Sequence, residues 1–210
     1  MYKSLQVIAI IGILILSSCT SNSNEKDSTE DSEKVERCMY SYNNAGTTLE
    51  WTSYKYSTRE PVGGRFNEIS VQSTPNEDPK KVLESISFSI STASVETDNV
   101  ERNGKISKLF FDFFNTPLIT GKIKSIGNDG KAVIEITMNN IAKDVSGDFT
   151  LEDKLFKFNT EIDVNDWDGL SAIQSLNTAC KDLHDGGDGI SKLWSEVTLS
   201  LETELLSDCE

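Results

Sequence analysis

The sequence is poor in the residues that build metal centres and in the positive charge that attracts nucleic acid. Its 210 residues include one histidine, His184, so the usual histidine-based zinc sites are excluded. Asp182, Asp185 and Asp188 do not follow the spacing of a calcium loop, which also needs a closing glutamate. Lys and Arg number 20 against 34 Asp and Glu, a formal charge of −14 that disfavours polynucleotide partners. We therefore expect no metal, no cofactor and no nucleic acid.

Catalytic patterns are also missing from the sequence. A serine or cysteine nucleophile needs a positioned base, and the local patterns suggest neither a Ser-His-Asp nor a Cys-His arrangement. We therefore expect a binding protein and not an enzyme.

Long apolar runs are scarce, and the one at the start of the chain is shorter than a membrane span. Residues 5–16 are apolar, whereas a spanning helix needs roughly 20 residues. Lys3 precedes this run, and Leu16-Ser17-Ser18-Cys19 ends it in a pattern that resembles the lipobox of bacterial lipoproteins. The resemblance implies that residues 1–18 are a lipoprotein signal peptide and that Cys19 is acylated; the alternative is an ordinary signal peptide that ends near a cysteine. An acyl anchor would tether the chain to a membrane of the bacterial cell envelope.

The tether would place the protein at the outer membrane, on its periplasmic face or at the cell surface. Residues 19–37 are Ser, Asn, Lys and acidic residues with almost nothing apolar, so they predict a disordered acidic linker. The acidic run is either a solvated spacer or a sorting signal for surface exposure. Residues 38–210 are long enough for one domain with a sizeable core.

Three cysteines remain after Cys19, and an odd number leaves one thiol unpaired within the chain. An oxidising compartment favours a disulfide between two of them. We predict that Cys38 pairs with Cys180, which would join the start of the domain to a late helix. Cys38 with Cys209 is the alternative, because first and last strands meet when a barrel closes.

Apolar and polar residues alternate over short segments of the domain, which is typical of strands with one buried face. Pro61 and Gly63-Gly64 should end the first strand, and residues 72–81, with two prolines, should form a loop. Short connections such as Asn128-Asp129-Gly130 require antiparallel neighbours. The pattern predicts about eight strands, over residues 48–56, 65–71, 86–90, 119–123, 132–138, 145–151, 156–164 and 193–205.

Two segments have apolar residues at helical spacing instead. Residues 100–114 are rich in phenylalanine, which needs a large apolar partner surface, so this helix should pack on the sheet as a lid or flank. Residues 168–183 carry a second apolar stripe that includes Cys180. The candidate N-caps are Asp98 or Asn99 for the first helix and Asp166 or Asp168 for the second.

An antiparallel sheet with one apolar face on nearly every strand must cover a second sheet or close on itself. An eight-stranded barrel is just wide enough for packed side chains or for one slender ligand. We therefore predict an all-β fold with helical insertions. The candidate ligand-binding residues are apolar side chains that could line the interior and two cations near its mouth: Trp51, Lys55, Phe66, Phe88, Arg102, Phe110, Phe113, Phe114, Met138, Phe149 and Phe158. Core packing, a surface lysine and a salt bridge from Arg102 to Glu96 or Glu101 are the alternative roles.

A series of short motifs covers most of residues 47–205. They are Leu49-Glu-Trp51-Thr-Ser-Tyr-Lys55, Val62-Gly-Gly64-Arg-Phe66, Ile86-Ser-Phe88-Ser-Ile90, Ser94-Val95-Glu-Thr97-Asp-Asn99, Arg102-Asn103 with Phe110-Phe111, and Ile136-Thr-Met138-Asn-Asn-Ile141-Ala-Lys143-Asp-Val145. Their order resembles that of the YceI-like family. The resemblance implies an antiparallel, eight-stranded, lipocalin-like barrel that holds a long polyisoprenoid lipid. Residues 176–194 extend the usual connection before the last strand, which resembles the lipoprotein branch of the family and could narrow the barrel mouth.

The expected function is therefore a membrane-anchored lipoprotein that binds a polyisoprenoid or similar amphiphilic lipid, for storage, transport or stress protection. The alternative is a solid barrel that acts as a surface interaction module, with a protein or a glycan as its partner. A continuous apolar cavity would favour the lipid-binding function, and a filled interior would favour the surface interaction module.

Overall fold

The structure is a computed structural model that describes residues 37–210. The predicted signal peptide, Cys19 and most of the linker lie outside the described residues. The strands are Cys38–Ser41 (β1), Thr47–Lys55 (β2), Glu60–Phe66 (β3), Ile69–Gln72 (β4), Ser87–Ser91 (β5), Val95–Glu96 (β6), Leu118–Ile126 (β7), Lys131–Met138 (β8), Ile141–Glu152 (β9), Leu155–Asp163 (β10), Leu193–Glu204 (β11) and Leu206–Cys209 (β12). The α-helices are Pro79–Glu84 (α1), Val100–Ile106 (α2) and Leu170–Ala179 (α3).

Ten of the strands form one curled antiparallel sheet in the order β4-β5-β7-β8-β9-β10-β11-β2-β3-β6, and β1 pairs with β12. The all-β, antiparallel prediction is confirmed, but the expected count of eight strands differs from the observed twelve. One reason is that the predicted strand 65–71 is interrupted, so that its residues belong to two strands, β3 and β4. The short strand β6 also follows β5 after the turn Thr92–Ser94 and adds one more to the count. The other reason is the additional β1–β12 ladder.

The segment with Pro61, Gly63 and Gly64 lies inside β3 and does not end a strand, contrary to the sequence prediction. β3 pairs with β2 along most of its length, but it pairs with β6 only at Arg65 and Phe66. Pro61 therefore lies in the part of β3 that is paired with β2 alone. The missing N–H of proline is tolerated there.

The helices depart from the prediction at their ends. Asn99 caps α2 as one of the two candidates, since its side chain accepts a hydrogen bond from the Arg102 N–H at 2.9 Å. After Ile106 the helix widens into a π-helical segment, Ser107–Phe111. The predicted caps of α3 are wrong: Asp168 adopts φ 60° at the end of a 3₁₀ turn, and Gly169 precedes α3 without a side-chain cap. α1 begins within residues that were expected to form a loop.

The predicted Cys38–Cys180 disulfide is wrong, because Cys38 is bonded to Cys209. These two cysteines face each other in the β1–β12 ladder. Cys180 lies just after α3 as a buried free thiol. The pairing of the first and last strands therefore decides which cysteines meet.

The inner face of the sheet is apolar and the outer face is charged. Along β8 every second residue is buried, from Ala132 to Met138. Outward-facing residues of neighbouring strands form ion pairs, such as Lys122 of β7 with Glu135 of β8 at 3.4 Å. This alternation of buried and exposed positions is what the period of a strand dictates.

The two groups of helices lie at opposite ends of the curled sheet. α1 is tied to the β7–β8 turn, where Lys80 Nζ donates to Asn128 Oδ1 at 2.7 Å. The segment before α3 is tied to the β8–β9 turn, where Asn139 Nδ2 donates to the Trp167 carbonyl at 3.0 Å. Because these turns flank the same strand, α1 lies at one end of the interior. The π-helical segment and α3, which contact each other, lie at the other end.

Candidate ligand-binding cavity

The interior of the curled sheet holds two apolar cavities of about 130 Å³ each. The upper cavity lies between the sheet and the helices, where α2, the π-helical segment and α3 contribute Ile106, Phe110 and Ile173. The lower cavity is lined almost entirely by strand residues, such as Phe88, Ile134 and Leu201. Apolar cavities of roughly this size stay dry and accept apolar molecules.

The two cavities adjoin, and together we call them the lumen. Both are lined by the same set of side chains from six strands or strand ends: Trp51, Phe66, Ile119, Met138, Ile162 and Leu199. An elongated apolar space suits a chain-like apolar molecule better than a compact one.

Large aromatic rings lie along the wall of this lumen because glycines face them on neighbouring strands. Trp51 pairs with Gly64, and a Cβ added to Gly64 would overlap the indole ring. Phe88 pairs with Gly121 in the same way. The glycines therefore let the rings lie flat, which leaves the centre of the lumen open.

An aromatic row connects the sheet to its helical cover. The ring of Trp51 lies 6.5 Å from that of Phe66, which lies 5.9 Å from Phe111. Phe111 in turn packs edge-on against Phe110 at 4.9 Å. Such contacts stabilise the cover beyond the area that they bury.

Polar groups are rare in the lumen, and one of them, the indole N–H of Trp51, lacks a hydrogen-bond partner within residues 37–210. Trp51 is only 9% exposed. At the far end of the lower cavity the Thr47 and Thr203 hydroxyls satisfy each other at 2.6 Å. A buried donor without a partner costs about 1–3 kcal/mol, so an acceptor atom on a bound molecule would be favoured beside Trp51.

A third cavity of about 300 Å³ adjoins the upper one and is basic. It shares Ser53, Ile106, Leu176 and Leu193 with the upper cavity. We call it the basic vestibule and define it by its four basic lining residues: Lys55, Arg102, Lys105 and His184. The acidic residue in its lining is Glu101, which pairs with Lys105 at 2.7 Å.

His184 is held in the vestibule by α3. Its Nδ1 lies 2.8 Å from Asn177 Oδ1, an acceptor, so Nδ1 carries the hydrogen. Burial lowers the pKa of His184 from its ordinary value of 6.5, and the charges of Lys55 and Lys105 lower that pKa further. The imidazole is therefore neutral at pH 7.

The structure brings most of the candidate ligand-binding residues together. Trp51, Phe66 and Met138 line both apolar cavities, and Phe88, Phe158 and Phe110 line one of them. Lys55 and Arg102 meet in the vestibule.

Three of the candidate phenylalanines lie elsewhere. Phe113 is 57% exposed on the surface. Phe114 is buried and packs on Phe110 at 5.3 Å, while Phe149 packs on Phe156 at 5.7 Å. None of the three lines the apolar cavities or the vestibule.

Sequence reasoning missed several lining residues. Ile119, Ile162 and Leu199 occupy alternate positions of predicted strands, so the period-two pattern could have identified them. Lys105 and His184 carried no comparable signal, because the helix and the loop that hold them meet only in the folded chain.

Within residues 37–210, no group of three or more His, Cys, Asp and Glu side chains lies close enough to hold a metal ion. In the loop before β11, Asp185 Oδ1 instead accepts the N–H groups of Gly187 and Gly189. None of the helices in this described part combines the length and the apolar character needed to cross a membrane.

A curled antiparallel sheet around an apolar lumen, covered at one end by helices, defines a lipocalin-like β-barrel protein. The chain belongs to the YceI-like domain family, whose model matches residues 40–205. Two solved structures share the fold. A polyisoprenoid-binding domain from Saccharophagus degradans is 11% identical with a TM-score of 0.58, covering 82% of this chain and 99% of that one. BcnA from Burkholderia cenocepacia is 18% identical with a TM-score of 0.54, covering 79% and 99%. No curated protein matches the chain.

Proposed function

We propose that this protein is a membrane-anchored lipoprotein that holds a polyisoprenoid or similar amphiphilic lipid in its lumen. The observation that carries the proposal is the adjoining pair of apolar cavities inside the curled sheet. Burying an apolar tail there contributes roughly 25 cal/mol per Å² before the costs of ordering it. The fold shared with a polyisoprenoid-binding domain supports the same ligand class.

The proposed location is the bacterial cell envelope, with Cys19 as the acylated anchor. The Cys38–Cys209 disulfide supports a compartment outside the reducing cytoplasm. The proposed role is non-enzymatic: the lumen shelters the lipid during storage, transport or stress. His184 and the Cys180 thiol both line the vestibule, but the hydrogen bond of His184 Nδ1 is to Asn177 Oδ1.

The test is whether lipid occupies the lumen. Residues 20–210, which keep the mature chain after Cys19, would be exported to the periplasm of a bacterial host and purified without detergent. Native mass spectrometry and organic extraction should then find a co-purifying lipid of isoprenoid or similar amphiphilic character.

A matched pair of variants separates lumen binding from surface adsorption. Leu199 faces the lumen and lines both cavities, whereas the next residue, Ser200, is exposed. Leu199→Trp should fill the junction and abolish lipid recovery, while Ser200→Trp should leave it unchanged. A lipid-free wild-type chain that also takes up no added geranylgeraniol would contradict the proposal, as would equal recovery from both variants.

A further inference from the structure

We infer that the basic vestibule holds an acidic headgroup, a phosphate or a carboxylate, of the amphiphile whose tail occupies the lumen. The inference rests on the proposed function and adds the chemical class of the ligand. It divides the binding site into an apolar part for the tail and a cationic part for the head.

The course of β2 places the two parts in sequence. Trp51, Ser53 and Lys55 lie on the same side of the strand, because every second residue does so. Trp51 lines both apolar cavities, Ser53 lines the upper cavity and the vestibule, and Lys55 lines the vestibule alone. Two residues of strand span about 6.6 Å, so the lysine lies about 13 Å along the strand from the indole. A tail in the lumen would therefore bring its head to Lys55.

The vestibule is positively charged in a chain that is acidic overall. The chain has a formal charge of −14, and several lysines on the outer face of the sheet pair with acidic neighbours, as Lys131 does with Asp148 at 2.6 Å. Within residues 37–210, neither Lys55 nor Arg102 forms such an ion pair. Two cations without a carboxylate partner therefore line the same cavity.

The acidic residues nearest to Arg102 in the chain have other partners. Glu101 pairs with Lys105, and Glu96 accepts from Asn103 Nδ2 at 2.9 Å. The salt bridge that the sequence offered as an alternative role for Arg102 is therefore not formed. The arginine remains available for an anionic oxygen, which it can bind with two parallel hydrogen bonds.

His184 responds to the same positive field. Burial lowers the pKa of the imidazole most, and the charges of Lys55 and Lys105 lower that pKa further. An anion in the vestibule would compensate these charges and favour protonation of His184. The imidazole could then add a further donor to the headgroup.

The experiment compares two lipids with the same tail on residues 20–210. Geranylgeranyl monophosphate carries the acidic head, and geranylgeraniol carries a neutral hydroxyl. We expect the phosphate to bind at least about tenfold more tightly at low salt, because charge-assisted hydrogen bonds exceed neutral ones. Inorganic phosphate alone should bind far more weakly than the lipid phosphate, since it leaves the lumen empty.

Charge removal in the vestibule locates the effect. Lys55→Gln combined with Arg102→Gln should weaken monophosphate binding at least about tenfold and leave geranylgeraniol binding unchanged. Lys143→Gln combined with Lys154→Gln removes the same charge outside the vestibule and should alter neither affinity. Unchanged binding of the alcohol also shows that the vestibule variant is folded.

Each contrary result has a distinct meaning. Equal affinity of the wild-type chain for the two lipids, or an equal loss for both lipids in the vestibule variant, would overturn the headgroup inference. Inorganic phosphate that binds as tightly as the lipid phosphate would also overturn it, because the site would then recognise a free anion. If neither lipid binds, the proposed function itself fails.

Discussion

Removal of the Cys38–Cys209 disulfide tests how the ends of the domain are joined. The bond links residues that are 171 positions apart, so its loss frees almost the whole domain in the unfolded state. In the chain-entropy model a loop of this length corresponds to about 5 kcal/mol of stability at 25 °C. Residual structure in unfolded chains reduces such values, so we expect a loss of about 2–5 kcal/mol.

The measurement is urea unfolding of the Cys38→Ser/Cys209→Ser variant of residues 20–210, followed by the fluorescence of the three tryptophans. With a urea dependence of about 2 kcal/mol per M, the midpoint should fall by about 1–2.5 M. The fold itself should persist, because domains are typically stable by about 5–15 kcal/mol. Lipid binding at 25 °C should also persist, since β1 contacts α1, at the end of the sheet opposite the vestibule.

Cys180→Ala is the matched control. It removes the buried free thiol and leaves the disulfide in place, so only the small loss from a shortened buried side chain is expected. An unchanged midpoint in the double variant would refute the reasoning. So would a non-reducing peptide map of the wild-type chain that finds Cys180 in the disulfide.

Three further predictions address the lumen, the vestibule and the anchor. Gly64→Ala should lower the free energy of unfolding by about 1–3 kcal/mol and reduce lipid uptake, because the added methyl overlaps Trp51 and pushes the ring into the lumen. Gly63→Ala is the control, since a methyl there would meet only the Trp51 carbonyl oxygen at 3.8 Å, and it should preserve uptake. Similar uptake by both variants would contradict this prediction. Because the pKa of His184 is lower in the folded chain, the unfolded chain binds more protons than the folded chain as the pH falls below 6.5. The free energy of unfolding should therefore decline from pH 6.5 down through the pKa of His184 in the folded chain. The single histidine resonance in NMR should titrate below 6.5, and a midpoint above that value would exclude the assigned environment. Cys19→Ala in the full chain should abolish incorporation of labelled fatty acid, whereas incorporation that persists would place the anchor elsewhere.

Local patterns predicted most of the strands. The alternation in residues 132–138 corresponds to β8, where the side-chain period of two matches a wall with one buried face. Asn99 was one of the two cap candidates for α2, and its short amide side chain accepts a hydrogen bond from the N–H of Arg102. Local patterns failed at Pro61 and Gly64, which end strands in most contexts but here lie in β3. Pro61 is tolerated because one edge of β3 is partly unpaired, and Gly64 is needed because it faces an indole ring.

The sequence by itself determined the antiparallel β class, the inward-facing apolar residues and the acidic overall charge, because these properties depend on residue type and on short spacings. The tertiary structure decided the partner of Cys38, since the pairing of β1 with β12 joins residues from opposite ends of the domain. It also decided that the interior is hollow and that Lys55, Arg102 and His184 share one cavity. Those properties depend on how distant segments pack around a common space, and no local pattern specifies that space.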